Sequence, residues 1–126
     1  MRQFNIENWK QALATEEEVV FAYLFGSTVT GETSALSDVD VAIHPDRRLS
    51  LDERLAIMQR LGKKTGLENL DVRFLDRLEN LCLLNHIINS GVLLVDRDRD
   101  RRELFEVMAQ HRLFDFQYHR KLYLGE

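Results

Sequence analysis

Apolar and polar positions along the chain follow two rhythms, one of period near 3.6 and one of period two. Ile6, Trp9 and Leu13 recur at helical spacing and predict an amphipathic helix over residues 4–14. Residues 19–25 form an unbroken β-branched and aromatic run, with three glutamates before it and Gly26 after it. That run predicts a buried strand. Residues 26–37 hold two glycines, three threonines and three serines, which predicts a turn-rich loop. Strict alternation returns in residues 38–44, a second strand whose Val39, Val41 and Ile43 face the core while Asp38, Asp40 and His44 face the other way. Ser50 and Glu53 are placed as the capping box of a helix, with Leu51, Leu55, Met58 and Leu61 as its apolar stripe. Lys63, Lys64 and Gly66 close that helix. Residues 70–75 alternate again, with Asp71 and Arg73 on the polar face. A helix over residues 77–89, a short strand over 92–95 and a long charged helix opened by Asp98 complete the chain. The order α-β-β-α-β-α-β-α predicts an α/β (α+β) fold, a small mixed β-sheet of about four strands with helices packed on one side.

Composition narrows the class. With 126 residues, 44% hydrophobic and 30% charged, the chain is expected to form one domain, residues 1–126, around one core. Seventeen basic against 21 acidic side chains leave a net charge of −4, and neither half is basic. No positive footprint for direct nucleic-acid binding is present. The lone cysteine, Cys82, excludes an internal disulfide framework and a cysteine-only zinc site. Its place in the apolar run 81–84 predicts a small buried hydrophobe rather than a nucleophile. No signal-peptide core opens the chain, and no apolar stretch reaches the ~20 residues that cross a bilayer. A cytoplasmic protein without membrane contact is expected.

The chemistry concentrates on the polar faces of two strands. Asp38 and Asp40, at i and i+2, project from the same face, and two carboxylates so close repel each other unless a cation neutralises them. A hard divalent ion suits such a pair, because it takes oxygen ligands and keeps open positions for water or phosphate oxygens. Acidic pairs are also common on exposed strand faces. Asp71 completes a three-carboxylate cluster if the second and third strands are neighbours; otherwise it pairs with Arg73 or caps a turn. Gly26 and Ser27, at the end of the buried run, offer close backbone approach, a hydroxyl and main-chain N–H groups for an anion. By themselves they describe a turn.

Gly26-Ser27, ten intervening residues and Asp38-Val39-Asp40 resemble the signature of the DNA polymerase β-like nucleotidyltransferases. Within that superfamily the chain is similar to the minimal nucleotidyltransferases (MNT) of MNT/HEPN toxin–antitoxin pairs, over Tyr23-Leu24-Phe25-Gly26-Ser27, Gly31-Glu32, Ser37 to Ala42, Leu70-Asp71-Val72 and residues 91–95. The resemblance implies that Gly26 and Ser27 hold the β and γ phosphates of a nucleoside triphosphate, with ATP the expected substrate. It implies that Asp38 and Asp40 bind two Mg²⁺ ions (Mn²⁺ suits the same oxygen donors). Asp71 would complete one metal site and favour deprotonation of the acceptor hydroxyl. The implied reaction is attack on the α-phosphorus with pyrophosphate leaving, and the implied function is an antitoxin that transfers AMP to a tyrosine of a HEPN ribonuclease toxin. An antitoxin that acts by contact alone and a transferase for a small molecule, as in the aminoglycoside nucleotidyltransferases, are the alternatives.

One stretch departs from the pattern. Members of the family often carry Arg-Ala-Arg-Gly after the Gly-Ser pair, whereas Thr28-Val29-Thr30-Gly31 stands here. Arg47, Arg48, Lys63, Lys64 and Arg73 are the candidate replacements for the missing cations, and of these Arg73 is placed on the face of the carboxylates, as a nucleotide-binding residue. His44 reads as an ordinary strand-end histidine, and His86 as a partly buried side chain of an apolar helix. The aromatic run around Phe114, Phe116 and Tyr118 exceeds what a small core absorbs and predicts a partner-binding face.

Overall fold

A computed structural model describes residues 6–26, 39–66 and 70–124. Helix α1 (Ile6–Ala14) buries Trp9, Ala12 and Leu13, as its spacing requires, and leads into β1 (Val19–Phe25). Strand β2 (Val39–Pro45) follows, then α2 (Leu51–Thr65), β3 (Leu70–Phe74) and a 3₁₀ turn (Leu75–Arg77). Helix α3 (Leu81–Ser90), β4 (Val92–Asp96) and α4 (Arg99–Leu124) complete the chain.

The helix ends follow local chemistry. Ser50 Oγ accepts from the Glu53 amide while the Glu53 carboxylate accepts from the Ser50 amide, so the capping box forms. At the other end Gly66 takes the left-handed conformation, φ 71°, and closes α2. The Asn80 side chain caps α3 through the Leu83 amide, and Asp98 receives the Arg101 amide at the start of α4.

The four strands order as β3-β2-β1-β4. β1 pairs antiparallel with both β2 and β4, whereas β2 and β3 are parallel and joined by α2 as the crossover. Every residue of β1 is buried, and from Phe21 onward, after a register shift between Val19 and Phe21, its side chains alternate between two cores. Ala22 and Leu24 join Val41, Ile43, Val72 and Phe74 under α1 and α2, where Trp9, Leu13, Ile57 and Leu61 close the layer. Phe21, Tyr23 and Phe25 join Ala42 under α3 and α4, against Leu84, Ile87, Phe105 and Ala109.

Helices therefore cover both faces of the sheet, and the expectation of helices on one side is corrected. A strand apolar at every position cannot leave either face in water. Four side-chain placements also differ from expectation. Leu51 and Leu55 are exposed, because the buried arc of α2 centres on Ile57 and Leu61 with Met58 at its rim. Cys82 and His86 both face solvent, since α3 turns Leu84, Asn85 and Ile87 inward instead.

One buried charge ties the first layer together. Glu16, with a side chain only 2% exposed, receives Arg60 Nε at 2.8 Å and Lys64 Nζ at 2.7 Å. Burial alone would raise its carboxyl pKa, but the hydrogen bonds and charges of Arg60 and Lys64 outweigh that and hold it below the ordinary value. Among the described residues no helix is long and apolar enough to cross a membrane.

Candidate functional site

Three strands bring the candidate residues to one end of the sheet. In the parallel pairing Asp40 of β2 lies directly opposite Asp71 of β3, and in the antiparallel pairing the same Asp40 lies opposite Phe25 of β1. Neighbouring strands run ~4.8 Å apart, so the two carboxylates rise side by side from one face. Sequence alternation put them on polar faces; the parallel register makes those faces continuous.

Gly26, the next residue after Phe25, explains how the backbone of β1 fits against this pair. Its φ is +87°, and a Cβ built there would come 2.2 Å from Asp40 Oδ2. Any other residue would carry a methylene into the carboxylate as well as adopt a strained dihedral. The missing side chain at Gly26 thus leaves room for the Asp40 carboxylate to lie against the main chain at the end of β1. Ser27 and Asp38, the other two predicted residues of this end, lie outside the described residues.

Arg73 stands two positions after Asp71 on the same face of β3, and its Nε lies 3.6 Å from Asp71 Oδ2. Both side chains are nearly half exposed, at 45% and 44%, so the pair is loosely held and open to exchange for a ligand phosphate. Three of the other candidate cations are engaged elsewhere or lie at the far end. Arg47 is ion-paired with Glu53, Lys64 holds Glu16, and Arg48 follows β2 at the end opposite Asp40.

The donor chemistry fits a hard cation. Two adjacent carboxylates on rigid strands supply oxygen ligands only, with a face open enough to leave positions for water and phosphate. Among the described residues no group of three His, Cys, Asp or Glu side chains converges, the third predicted ligand being Asp38.

His44 takes no part in this group. Four positions along β2 from Asp40, it is ~13 Å away at strand rise. It stacks on Phe21 at 4.7 Å and meets the edge of Phe105 at 4.8 Å. Burial, then the charge of Arg101, pushes its pKa below the ordinary value. It is a core histidine, as a strand-end reading expects, although its face is covered rather than wet.

A second polar group, not anticipated from sequence, fastens α4 over β1. Tyr23 Oη donates to Glu106 at 3.0 Å, Arg102 pairs with Glu106 at 2.6 Å and with Asp96 at 2.9 Å. Burial and the Glu106 charge push the Tyr23 hydroxyl pKa up, so it stays a proton donor. Partners 83 residues apart leave no local signal.

Residues 7–100 match the family model described as Polymerase beta, Nucleotidyltransferase. No curated protein gives a significant match. Among solved structures, a toxin–antitoxin with AMP-PNP is similar at a TM-score of 0.79 and 23% identity, over 97% of this chain and 97% of that one. A tri-AMPylated Shewanella oneidensis HEPN toxin in complex with MNT antitoxin is similar at 0.71 and 21%, over 99% and 97%. The toxin–antitoxin MntA-HepT gives 0.70 and 20%, over 95% and 93%. At these identities the likeness is one of fold, and it extends over nearly the whole chain.

Proposed function

We propose, since the chain belongs to the polymerase beta nucleotidyltransferase family, that it is an antitoxin that transfers AMP from ATP to a tyrosine of a HEPN ribonuclease toxin. The observation that carries the chemistry is the register opposition of Asp40 and Asp71, with Gly26 set against Asp40. The partner rests on the similar solved structures, which are toxin–antitoxin pairs, one with AMP-PNP and one with an AMPylated HEPN toxin, and the tyrosine acceptor rests on the family resemblance alone.

In this reading Asp40 and Asp71, with Asp38, would hold Mg²⁺ or Mn²⁺ through carboxylate oxygens. When bound, such ions neutralise the triphosphate and stabilise charge on the attacking and leaving oxygens. Gly26 admits the phosphate chain against the backbone, and Ser27 supplies a hydroxyl to the β and γ phosphates. Arg73 exchanges its loose pairing with Asp71 for a phosphate oxygen, standing in for the arginines that Thr28 and Thr30 replace. Asp71, completing one metal site, favours deprotonation of the acceptor hydroxyl, whose proton passes to water on the open face. A new bond forms between that oxygen and the α-phosphorus while the bond to pyrophosphate breaks, with the nucleophile held in line by the docked acceptor.

The test is intact-mass spectrometry of the cognate HEPN protein after incubation with this chain, ATP and Mg²⁺, with Asp38→Asn/Asp40→Asn as the control. A gain of whole adenylyl units, lost in the double variant, supports the reading. A stable complex without mass gain assigns the chain to contact-only inhibition instead.

A further inference from the structure

Helix α4 is 26 residues long, yet only its first half packs on the body. Phe105 and Ala109 enter the second core and the Ala109 carbonyl accepts from Asn85, whereas residues 114–123 are all exposed. An unsupported helix of that length is marginal in water.

Its outward face carries a pattern. Leu104, Met108, His111, Asp115, Tyr118 and Leu122 are all exposed and fall within an arc of about 80° at helical periodicity. Their spacing is 4, 3, 4, 3, 4, the spacing of a two-helix seam. That series reads the same in both directions, so it is symmetric about position 113. Two such helices laid antiparallel would set Leu104 against Leu122 and Met108 against Tyr118 of the second copy. His111 would meet Asp115 of that copy, and by symmetry each pairing occurs twice. The parallel alternative sets Asp115 against Asp115 and His111 against His111, which repel or pair nothing. Phe114 and Val107, also exposed, flank the seam on one side and extend the apolar strip.

We infer that this chain pairs with a second copy of itself through an antiparallel seam along α4. The occupant is chosen by complementarity: apolar meets apolar and acid meets imidazole at every layer, and the rule that achieves it is written in the helix itself. An interface of this kind is isologous and closes at two copies. It lies on the exposed side of α4, uses neither Asp40 nor Asp71, and does not depend on their chemistry.

Light scattering after size-exclusion chromatography under reducing conditions tests the state, with twice the chain mass expected. Met108→Glu/Tyr118→Glu should give the single-chain mass with unchanged helical circular dichroism. For the register, Leu104→Cys and Leu122→Cys chains, each on a Cys82→Ser background, are oxidised alone and mixed. The mixture should give the mixed disulfide in several-fold excess over either chain alone. A wild-type chain that stays single up to its solubility limit, or equal crosslinking of each variant with itself, overturns the inference. So does a chain that is single by itself and whose double variant loses only its hold on an added HEPN protein, because the face then belongs to that partner.

Discussion

Asp40 and Asp71 occupy the same rung of the parallel β2–β3 ladder. Residues directly opposite each other in a ladder leave the sheet on one face, so the two carboxylates start from Cα positions fixed at strand separation by main-chain hydrogen bonds. Asp71→Asn should therefore cost AMP transfer on the order of 100-fold or more, matching the several kcal/mol that metal-borne charge stabilisation supplies. Removing one of two neighbouring carboxylates should leave the metal-free thermal midpoint unchanged or raise it. Transfer by intact mass, beside a thermal melt, checks both halves; full activity in the variant would refute the role.

Gly26→Ala places a methyl group on Asp40 Oδ2 at a backbone dihedral of +87°. A loss of about 2 kcal/mol in urea unfolding is expected from the dihedral and the overlap together. Titration calorimetry with ATP and Mg²⁺ should show weakened binding. Wild-type stability with wild-type affinity would mean that the close approach has no consequence.

Glu16 makes stability depend on pH in acid. Its folded pKa lies below the unfolded value, 4.5, so its contribution is complete above that value and is lost as pH falls through the folded pKa. Glu16→Gln should flatten the acid limb of a urea-midpoint profile taken from neutral pH down to pH 3. At neutral pH the variant should lose roughly 1–3 kcal/mol, at the low end for a buried pair because Arg60 and Lys64 keep part of their water. An unchanged acid limb would sink this assignment.

His44 acts in a higher window. With its folded pKa pushed down, the unfolded chain binds the proton first, so stability falls as pH drops below the ordinary value of 6.5. His44→Phe keeps a ring between Phe21 and Phe105 and removes a buried Nδ1 that lacks a hydrogen-bond partner. The variant should match or exceed wild-type stability at pH 7 and lose the slope between pH 6.5 and 5. Retention of that slope would place its source in another group.

What the sequence made legible was local. The strand at residues 19–25, the alternation around Asp40, the Ser50–Glu53 box and the Gly66 stop each depend on near neighbours, and each stands as expected. The pairing of Asp40 with Asp71 needed a parallel register, which the crossover through α2 makes possible but no short window displays. The covered state of His44, the exposure of Cys82 and the tilt of α2 toward Ile57 depend on where α3 and α4 come to rest. Those are decided by contacts such as Tyr23 to Glu106, whose partners are far apart along the chain. At the site itself the residue types were readable and their neighbourhood was not; Arg73 beside Asp71 is the case where both were.

Helix α2 also works as a gauge. Side chains on a strand change face with every residue, so a slip of one position in β3 would turn Asp71 toward Trp9 and Leu61 and bring an apolar side chain to face Asp40. The helix of the crossover has fixed ends, its start locked by the Ser50–Glu53 box and its stop by Gly66. The register that sets the two carboxylates side by side is thus joined to a helix of fixed length between two caps. An insertion or deletion between them would act as a phase error, silencing the site while leaving every residue that composes it in place.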